Sequence, residues 1–563
     1  MMIDGVGSTR IPSASETFVE QLCALDVDFV FGNPGTTEYS VLDALCEHQG
    51  IELVLCLHEA VAVSAAAGYA RASGAVGVVQ LHAGPGLGNG LGMLYDARVG
   101  QTPLVVFVGQ CEQSALYLEP LLSGDFVSMA RPVSKWCYEI RSAEEVPQVL
   151  RRAVKAASTP PRGPVVLSGP IDLMEAPCIA GVEALKPFRT SVRPDSDALR
   201  DAAAVLSAAE SPAFVVGDGV AAADAVNEVS RIARLLGAPI FGGMSSEVCV
   251  APTEALWAGR LRYEGSAADR AMEGHDVILA VGTSLLPQIF PLHGSPLPGR
   301  QVVHVGLDPW ELGKNQTSTI VFGDERAALR ELVAVLAAQA DAAQLAAWET
   351  RRRHWEAAIA ERAEKALAED RADWDAAPMS PARAVSELAG ALPEDVCMVD
   401  ESLTSYGVVD RYMRRRFGPR RWFRGRGGGI GEGMAMAVGV QLARPGTPVV
   451  ALVADGSAMY SLSALWTAAH HSVPVTWVIL NNRSYRMLKE NAVLRRPEDR
   501  RSLPVIGTDL VDPEIDFVAL ARGLGVEGRL VREPDQVRPT LRDCMASGKP
   551  QLIELVVGGL DER

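Results

Sequence analysis

Two fragments of this chain end an apolar run on a residue able to hold a cation. VALVADGSAMY presents Asp455 and VILNNRSYRML presents Asn482, 27 positions apart. A carboxylate, an amide oxygen and a nearby backbone carbonyl form a hard-oxygen set suited to Mg²⁺, which completes its shell with water and phosphate oxygens. Gly456 and Ser457 let the backbone turn sharply into SLSALWTAAHH, read as a helix whose first N–H groups offer an anion such as a diphosphate a partner. The competing reading makes Asp455 a helix cap and Asn481-Asn482 a polar turn. Either fragment alone sustains it; the pair at this spacing is more specific.

Such residues must be brought together by strand ends. In open α/β sheets ligands collect at the carboxyl ends of strands, and 27 positions accommodate one helix and the next strand, VTWVIL, so the two side chains fall on adjacent tips. The same alternation of apolar run and helix-like segment fills residues 1–185 (VDFVFGNPGT, IELVLCLHEAVAVSAAAGYARA, VGVVQLHAGPG, TPLVVFVGQ). It breaks at TSVRPDSD and resumes over 186–345 with PAFVVGDGVAAADA, APIFGGMSS, DVILAVGTSL and QVVHVGLDP. A charged stretch, 346–378, reads as a solvated helical linker, and 379–563 carries DVCMVDES, TPVVALVADGS, VPVTWVILNN and KPQLIELVV. The fold class expected is therefore α/β, with three doubly wound domains built on mostly parallel sheets.

Composition narrows the function classes. With 563 residues, 48% hydrophobic and 22% charged, the chain can fill several cores. A formal charge of −16 would repel a polyanion, so no nucleic-acid partner is expected. The apolar runs are strand-length, so no membrane role is expected, and MMIDGVGSTRIPSASE lacks a signal-type apolar core. Nine scattered cysteines without C-x-x-C spacing favour neither disulfides nor zinc. A reduced, cytoplasmic protein is the expectation.

The pairing of A-D-G-S at 454–457 with N-N at 481–482 resembles the thiamine-diphosphate (ThDP) enzyme family, whose motif is G-D-G-S followed after a helix and strand by N-N. Ala454 replaces the first glycine, a departure that matters only if a positive φ is needed there. The resemblance implies pyrimidine-binding, central and diphosphate-binding domains. It further implies that Asp455 and Asn482 bind Mg²⁺ by side chain and Ser484 by its carbonyl, with Gly456 and Ser457 at the diphosphate. FGNPGTTE, LHEA, LHAGPGLGN and GSAMYSLSALWTAAHHSVP bring the chain nearest the benzoylformate decarboxylase type within the acetolactate synthase and pyruvate decarboxylase superfamily. On that resemblance Glu59 activates the cofactor at its aminopyrimidine, and apolar company at the strand end is expected to raise its pKa. Thr36, where that type has serine, and His82 face the substrate, while Asn33 and Pro34 of N-P-G lie beside the cofactor. In GGGIG, the Gly428 carbonyl receives the 4′-amino hydrogen bond, and Ile430 is the wedge between the cofactor rings. His470 and His471 are read as structural.

Three places depart from the pattern or concern the substrate. The second catalytic histidine of the benzoylformate decarboxylase type has no counterpart in AVGTSLLPQIFPLHG; Gln288 and Ile289 stand near its place, and His293 is too far along. Eight arginines crowd residues 411–426, and Arg426, two positions before Gly428, is a candidate for a bidentate contact to a substrate carboxylate or phosphate. Leu488 is expected to line the pocket, and the polar LKENAV that it opens argues against benzoylformate as substrate. The G-D-G at 217–219 lacks a matching Asn pair and is read as a turn, and GRGGGIGEG does not fit a dinucleotide motif cleanly. The expected function is a ThDP- and Mg²⁺-dependent non-oxidative 2-oxo acid decarboxylase. The alternative is an acetolactate-synthase-like carboligase that adds the donor to an aldehyde or second carbonyl. A non-catalytic ThDP-binding regulator is the third reading, against which Glu59 argues. FAD in the central domain, carried by some carboligase relatives, is not favoured. The family's subunit arrangement implies a homodimer or homotetramer.

Overall fold

The computed structural model describes residues 10–186, 188–243, 247–261, 267–285, 297, 299–314 and 319–558. Among the described residues eighteen strands form three six-stranded sheets, and every paired neighbour runs parallel. The first contains β1 (Phe29–Gly32), β2 (Glu52–Leu55), β3 (Gly77–Leu81), β4 (Leu104–Gln110), β5 (Trp136–Glu139) and β6 (Val165–Pro170), in the order β2-β1-β3-β4-β6-β5. The second contains β7 (Pro212–Val216), β8 (Ile240–Gly242), β9 (Trp257–Arg260), β10 (Val277–Val281), β11 (Gln301–Gly306) and β12 (Thr319–Phe322), ordered β12-β11-β10-β7-β8-β9. The third contains β13 (Cys397–Glu401), β14 (Trp422–Phe423), β15 (Val449–Ala454), β16 (Val475–Asn481), β17 (Glu527–Val531) and β18 (Gln551–Val556), ordered β14-β13-β15-β16-β18-β17. Strands buried on both faces explain the unbroken apolar runs, since helices cover parallel sheets on either side.

Each order has a switch point where successive connections leave in opposite directions, and such points open a crevice at the carboxyl ends. In the first sheet it lies between β1 and β3, in the second between β7 and β10, and in the third between β13 and β15. The segments N-P-G-T-T-E, His82, Gly217-Asp218 and Asp455 each follow one of these strands.

By its contacts the chain forms two compact units. One comprises residues 1–189 with 427–444 and 461–471, and holds the first sheet; the other comprises 190–426, 445–460 and 472–563, and holds the second and third. In the first unit the helices Glu59–Ser73 and Glu432–Ala443 cross at backbone distance. A Cβ on Gly68 would lie 2.2 Å from the Met436 carbonyl oxygen, and one on Gly439 would lie 1.8 Å from that of Ala65. This crossing explains the alanine- and glycine-rich sequences EAVAVSAAAGYARA and EGMAMAVGVQLA. Both helices are buried on nearly all sides, and only small residues allow so close an approach.

In the second unit the linker forms a 29-residue helix, Ala342–Asp370, in which Trp348 alone is buried. Arg351 anchors it by donating to the carbonyls of Leu236, Ala209 and Glu210, groups left unpaired near the ends of two other helices. All nine cysteines are free. Among the described residues no helix is long and apolar enough to cross a membrane.

Candidate functional site

Glu59 is the first residue of the helix Glu59–Ser73, and its side chain is buried. The expectation of a raised pKa is overturned. Burial pushes the carboxyl up, but the side-chain amides of Asn89 at 3.0 Å and Asn33 at 3.2 Å donate to it and hold it below the ordinary glutamate value. Glu59 is therefore a carboxylate at neutral pH, poised by neutral donors. Asn33 Oδ1 is buried without a hydrogen-bond partner among the described residues, leaving an acceptor beside that carboxylate. Pro34 is exposed.

The loop after β1 and the turn after β3 converge on a residue that the motif reading left without a role. Glu38 is fully buried. Its Oε1 accepts from the Thr37 hydroxyl at 2.6 Å, the Gly109 amide at 2.9 Å and the Ala83 amide at 3.2 Å, while Oε2 lies 2.9 Å from His82 Nδ1. The Thr37 hydroxyl also approaches His82 Nδ1, at 3.2 Å, whereas Thr36 is exposed on the single-turn helix Thr36–Glu38. Ala83 takes φ 47°, a left-handed conformation costly for alanine, which the Glu38 contact to its amide helps to hold. The N-P-G glycine is required by proximity: a Cβ on Gly35 would lie 2.0 Å from His82 Nδ1. The signal for Glu38 was present as the last letter of FGNPGTTE, but an acid just before a helix is ordinarily read as a dipole partner.

In the same unit the glycine loop places Gly428 exposed at φ 80° and Ile430 half-buried. His471, read as structural, accepts a hydrogen bond at Nε2 from the Leu55 amide at 2.9 Å, and its Nδ1 lies 3.2 Å from Glu52. His470 stacks on Trp466.

The second unit holds the residues expected to bind a cation. β15 and β16 are neighbours, with Ala454 opposite Leu480, so Asp455 and Asn482 leave adjacent strand tips. Asp455 Oδ1 accepts from the Gly456 amide at 2.7 Å, and Oδ2 from the Asn482 amide at 3.0 Å. Burial raises its pKa to about 6 even though the backbone amides of Gly456, Arg483, Ser484 and Asn482 lower it. A positive charge is what this buried carboxylate lacks, so its chemistry fits a hard divalent cation. Asn482 Oδ1 accepts from the Ser484 amide at 3.0 Å, and between them Arg483 takes φ 58°. Asn481 is structural: its amide donates to Glu554 at 2.7 Å and its oxygen accepts from the Arg483 amide at 3.0 Å. Ser457 is fully buried, and its Oγ has no partner among the described residues, as expected of a hydroxyl awaiting a phosphate oxygen.

Ala454 has φ −73°, so alanine is accommodated where the motif has glycine. Gly456 admits no side chain, because a Cβ there would lie 2.4 Å from the ring of Tyr485. The expected continuous helix is instead a single turn, Asp455–Ala458, followed after a break by Ala464–His470.

The two described substrate candidates sit in different settings. Arg426, expected to meet a substrate anion, pairs at 3.1 Å with Asp218 of the central G-D-G, and both side chains are largely buried. Asp218 also accepts from the Glu247 amide, so this G-D-G anchors a neighbouring segment. Leu488 lies exposed on Arg486–Arg495, a helix with no buried residue. Gln288, Ile289 and His293 lie outside the described residues.

Comparisons with known proteins agree across the chain. Residues 12–129 match the N-terminal TPP binding domain of thiamine pyrophosphate enzymes, 199–332 their central domain and 404–555 their C-terminal TPP binding domain. Benzoylformate decarboxylase of Pseudomonas aeruginosa is 33% identical over 531 residues, covering 93% of this chain and 95% of that protein. The large subunit of acetolactate synthase isozyme 3 from Escherichia coli is 29% identical over 549 residues, covering 95% and 92%. Among solved structures, benzoylformate decarboxylase from Polynucleobacter necessarius superposes with a TM-score of 0.84 at 25% identity, covering 97% of this chain and 98% of that one. The ThDP-dependent 4-hydroxybenzoylformate decarboxylase of Rhodococcus jostii gives 0.83 at 28% identity, covering 97% and 99%.

Proposed function

The chain belongs to the thiamine pyrophosphate enzyme family and is a ThDP-dependent lyase or carboligase, and from that premise we propose a Mg²⁺-dependent, non-oxidative 2-oxo acid decarboxylase of the benzoylformate decarboxylase type, acting on an acid other than benzoylformate. The observation that carries this reading is Glu59, a buried carboxylate kept ionised by Asn33 and Asn89 at the start of a buried helix. When bound, ThDP supplies the carbon nucleophile and the electron sink for loss of CO₂. Glu59 accepts and returns a proton at the aminopyrimidine through its carboxylate oxygens. The Gly428 carbonyl and Ile430 orient the rings. Asp455 and Asn482 by side chain, and Ser484 by its carbonyl, would hold Mg²⁺, and the Gly456 and Ser457 amides with Ser457 Oγ would receive the diphosphate.

On the substrate side, Glu38 fixes His82 through Nδ1, which leaves Nε2 to move a proton at the substrate. Thr36, exposed in the same loop, offers its hydroxyl to the substrate carboxylate. The polar helix that carries Leu488 and Lys489, the latter paired with Asp509 at 2.6 Å, supports an acid less apolar than benzoylformate.

A carboligase is the second reading. The second histidine has no counterpart in AVGTSLLPQIFPLHG, where Gln288 and Ile289 stand near its place; loss of that proton donor favours addition to another carbonyl, and the acetolactate synthase relative supports it. By family analogy the enzyme is a homodimer or homotetramer. The test incubates wild type and Glu59→Gln, loaded with ThDP and Mg²⁺, with 2-oxo acids, with and without aldehydes, following CO₂ and products by mass spectrometry. Wild type should release CO₂, and Glu59→Gln should bind cofactor but turn over about 100-fold more slowly or worse. Cofactor binding without CO₂ release from any acid, or full activity in Glu59→Gln, would overturn the proposal.

A further inference from the structure

We propose that Asp96, a buried residue on the helix Ala83–Val99, is the positioning residue for the glycine loop, and thereby sets the Gly428 carbonyl and Ile430 against the cofactor; this rests on the ThDP reading above. Asp96 Oδ1 accepts from the Gly427 amide and, at 3.4 Å, from the Gly429 amide. Two amides of one tight loop converging on a single anionic oxygen form the kind of concavity in which backbone N–H groups bind an anion. Here the anion is built into the protein.

The three consecutive glycines then have three separate reasons. A Cβ on Gly427 would lie 2.5 Å from Asp96 Cα and 2.8 Å from its Oδ1, so no larger residue reaches the carboxylate. A Cβ on Gly429 would lie 3.1 Å from Met93 Sδ and 3.5 Å from Asp96 Cβ, so this residue seats the loop on the same helical turn. Gly428, between them, has φ 80° and nothing within 4 Å of a Cβ, so it projects into open space. Pinning the outer two residues leaves the middle one presented, with its peptide orientation fixed. Gly431, at φ 92°, ends the loop by capping the helix Glu432–Ala443. Ile430 is thus held between an anchored turn and a buried helix, so its wedge position depends on the Asp96 contact.

The experiment compares wild type, Asp96→Ala and Asp96→Asn by ThDP titration at saturating Mg²⁺, by circular dichroism of the bound aminopyrimidine, and by amide exchange at Gly427 and Gly429 in cofactor-free protein. Alanine removes a charged acceptor of two amides. The expected result is ThDP binding weakened on the order of 10-fold, a diminished aminopyrimidine signal and faster exchange at both glycines. Asparagine, which keeps one acceptor oxygen, should stay within about 3-fold of wild type, a rescue that mere loss of packing would not give. If Asp96→Ala does not fold, Asp96→Glu replaces it. The extra methylene has no room beside Gly427, so glutamate should bind ThDP markedly more weakly than asparagine. Unchanged affinity and exchange in Asp96→Ala, or equal behaviour of Asn and Glu, overturns the assignment while leaving the ThDP reading intact. Failure of wild type itself to bind ThDP removes that reading, and the exchange data then judge the loop anchor alone.

Discussion

Replacing Gly439 by alanine is a sharp test of the helix crossing that positions Glu59. In an isolated helix the change is favourable by roughly 1 kcal/mol, because alanine loses less backbone freedom. Here the new Cβ would sit 1.8 Å from the Ala65 carbonyl oxygen and 2.6 Å from the Tyr69 amide nitrogen. Restoring an ordinary contact requires the helices to part by about 1.5 Å. No side chain can rotate to absorb this, since both partners are main chain. Overpacking of close contacts costs about 1–3 kcal/mol or more, and this one belongs at the upper end, so we expect a net loss of about 2 kcal/mol. The helices begin at Glu59 and Glu432, so parting them also shifts Glu59 relative to the glycine loop, and ThDP affinity should fall. Urea unfolding followed by circular dichroism, with cofactor titration, measures both effects. Gly92→Ala is the control: it lies within a long helix with nothing within 4 Å of a Cβ, and should be neutral or stabilising by up to about 1 kcal/mol. A Gly439→Ala protein as stable as wild type, with unchanged cofactor affinity, would refute the close crossing.

Glu38→Gln should retain ThDP binding but lower kcat about 10- to 100-fold, because His82 Nδ1 loses its carboxylate partner; an unchanged kcat would detach Glu38 from catalysis. Burial, then the neighbouring His470, lowers the His471 pKa below its ordinary 6.5, and its Nε2 accepts the Leu55 amide, so its native form is neutral. The unfolded chain then binds the proton more readily: the stabilisation is present above pH 6.5 and lost as pH falls through the lower native value. Leu55 amide protection, corrected for intrinsic exchange, should fall over that range in wild type and be insensitive to pH in His471→Gln. Arg426→Ala breaks a largely buried ion pair and should cost about 3 kcal/mol of stability. With Asp218→Asn as the second arm, a double-mutant cycle should show strong coupling and KM should not change; a raised KM without coupling would return Arg426 to the substrate.

Much of this fold was legible because buried parallel strands write themselves as apolar runs. The runs singled out in the sequence became interior strands, with β2 the exception at an edge. The edges β5, β9, β12, β14 and β17 were not marked. Trp136–Glu139 and Trp257–Arg260 are half-buried throughout, Glu527–Val531 is mostly exposed or half-buried, and Trp422–Phe423 is two residues inside the arginine run. Their pairing is decided by a neighbour distant in sequence, which a local pattern cannot show. At the cation set, spacing and strand alternation placed Asp455 and Asn482 on adjacent tips. The roles of Glu38 and Asp96 were not legible, because each is defined by amides from other segments. The partner of Arg426 was not legible for the same reason: it lies 208 positions away.

The lowered pKa of Glu59 has a physical origin that separates two uses of acidic residues in this chain. Asp218 meets an arginine, Arg426, and so has its counter-charge within the protein. Glu59 is held by side-chain amides and Asp455 by backbone N–H groups. A carboxylate paired with guanidinium has little attraction left for an incoming cation or proton. One surrounded by neutral donors is oriented yet has no counter-charge among them, so it remains available to a cation or proton. Apolar surroundings alone would have made Glu59 a neutral acid. Two asparagines, one from N-P-G and one from G-L-G-N, make it a base, and the sequence showed both residues without showing that they point at the same carboxylate. The arrangement makes a discriminating demand: Asn89→Leu should raise the pH at which activity is half-lost on the acid side, whereas an arginine placed there should hold Glu59 ionised and still reduce turnover.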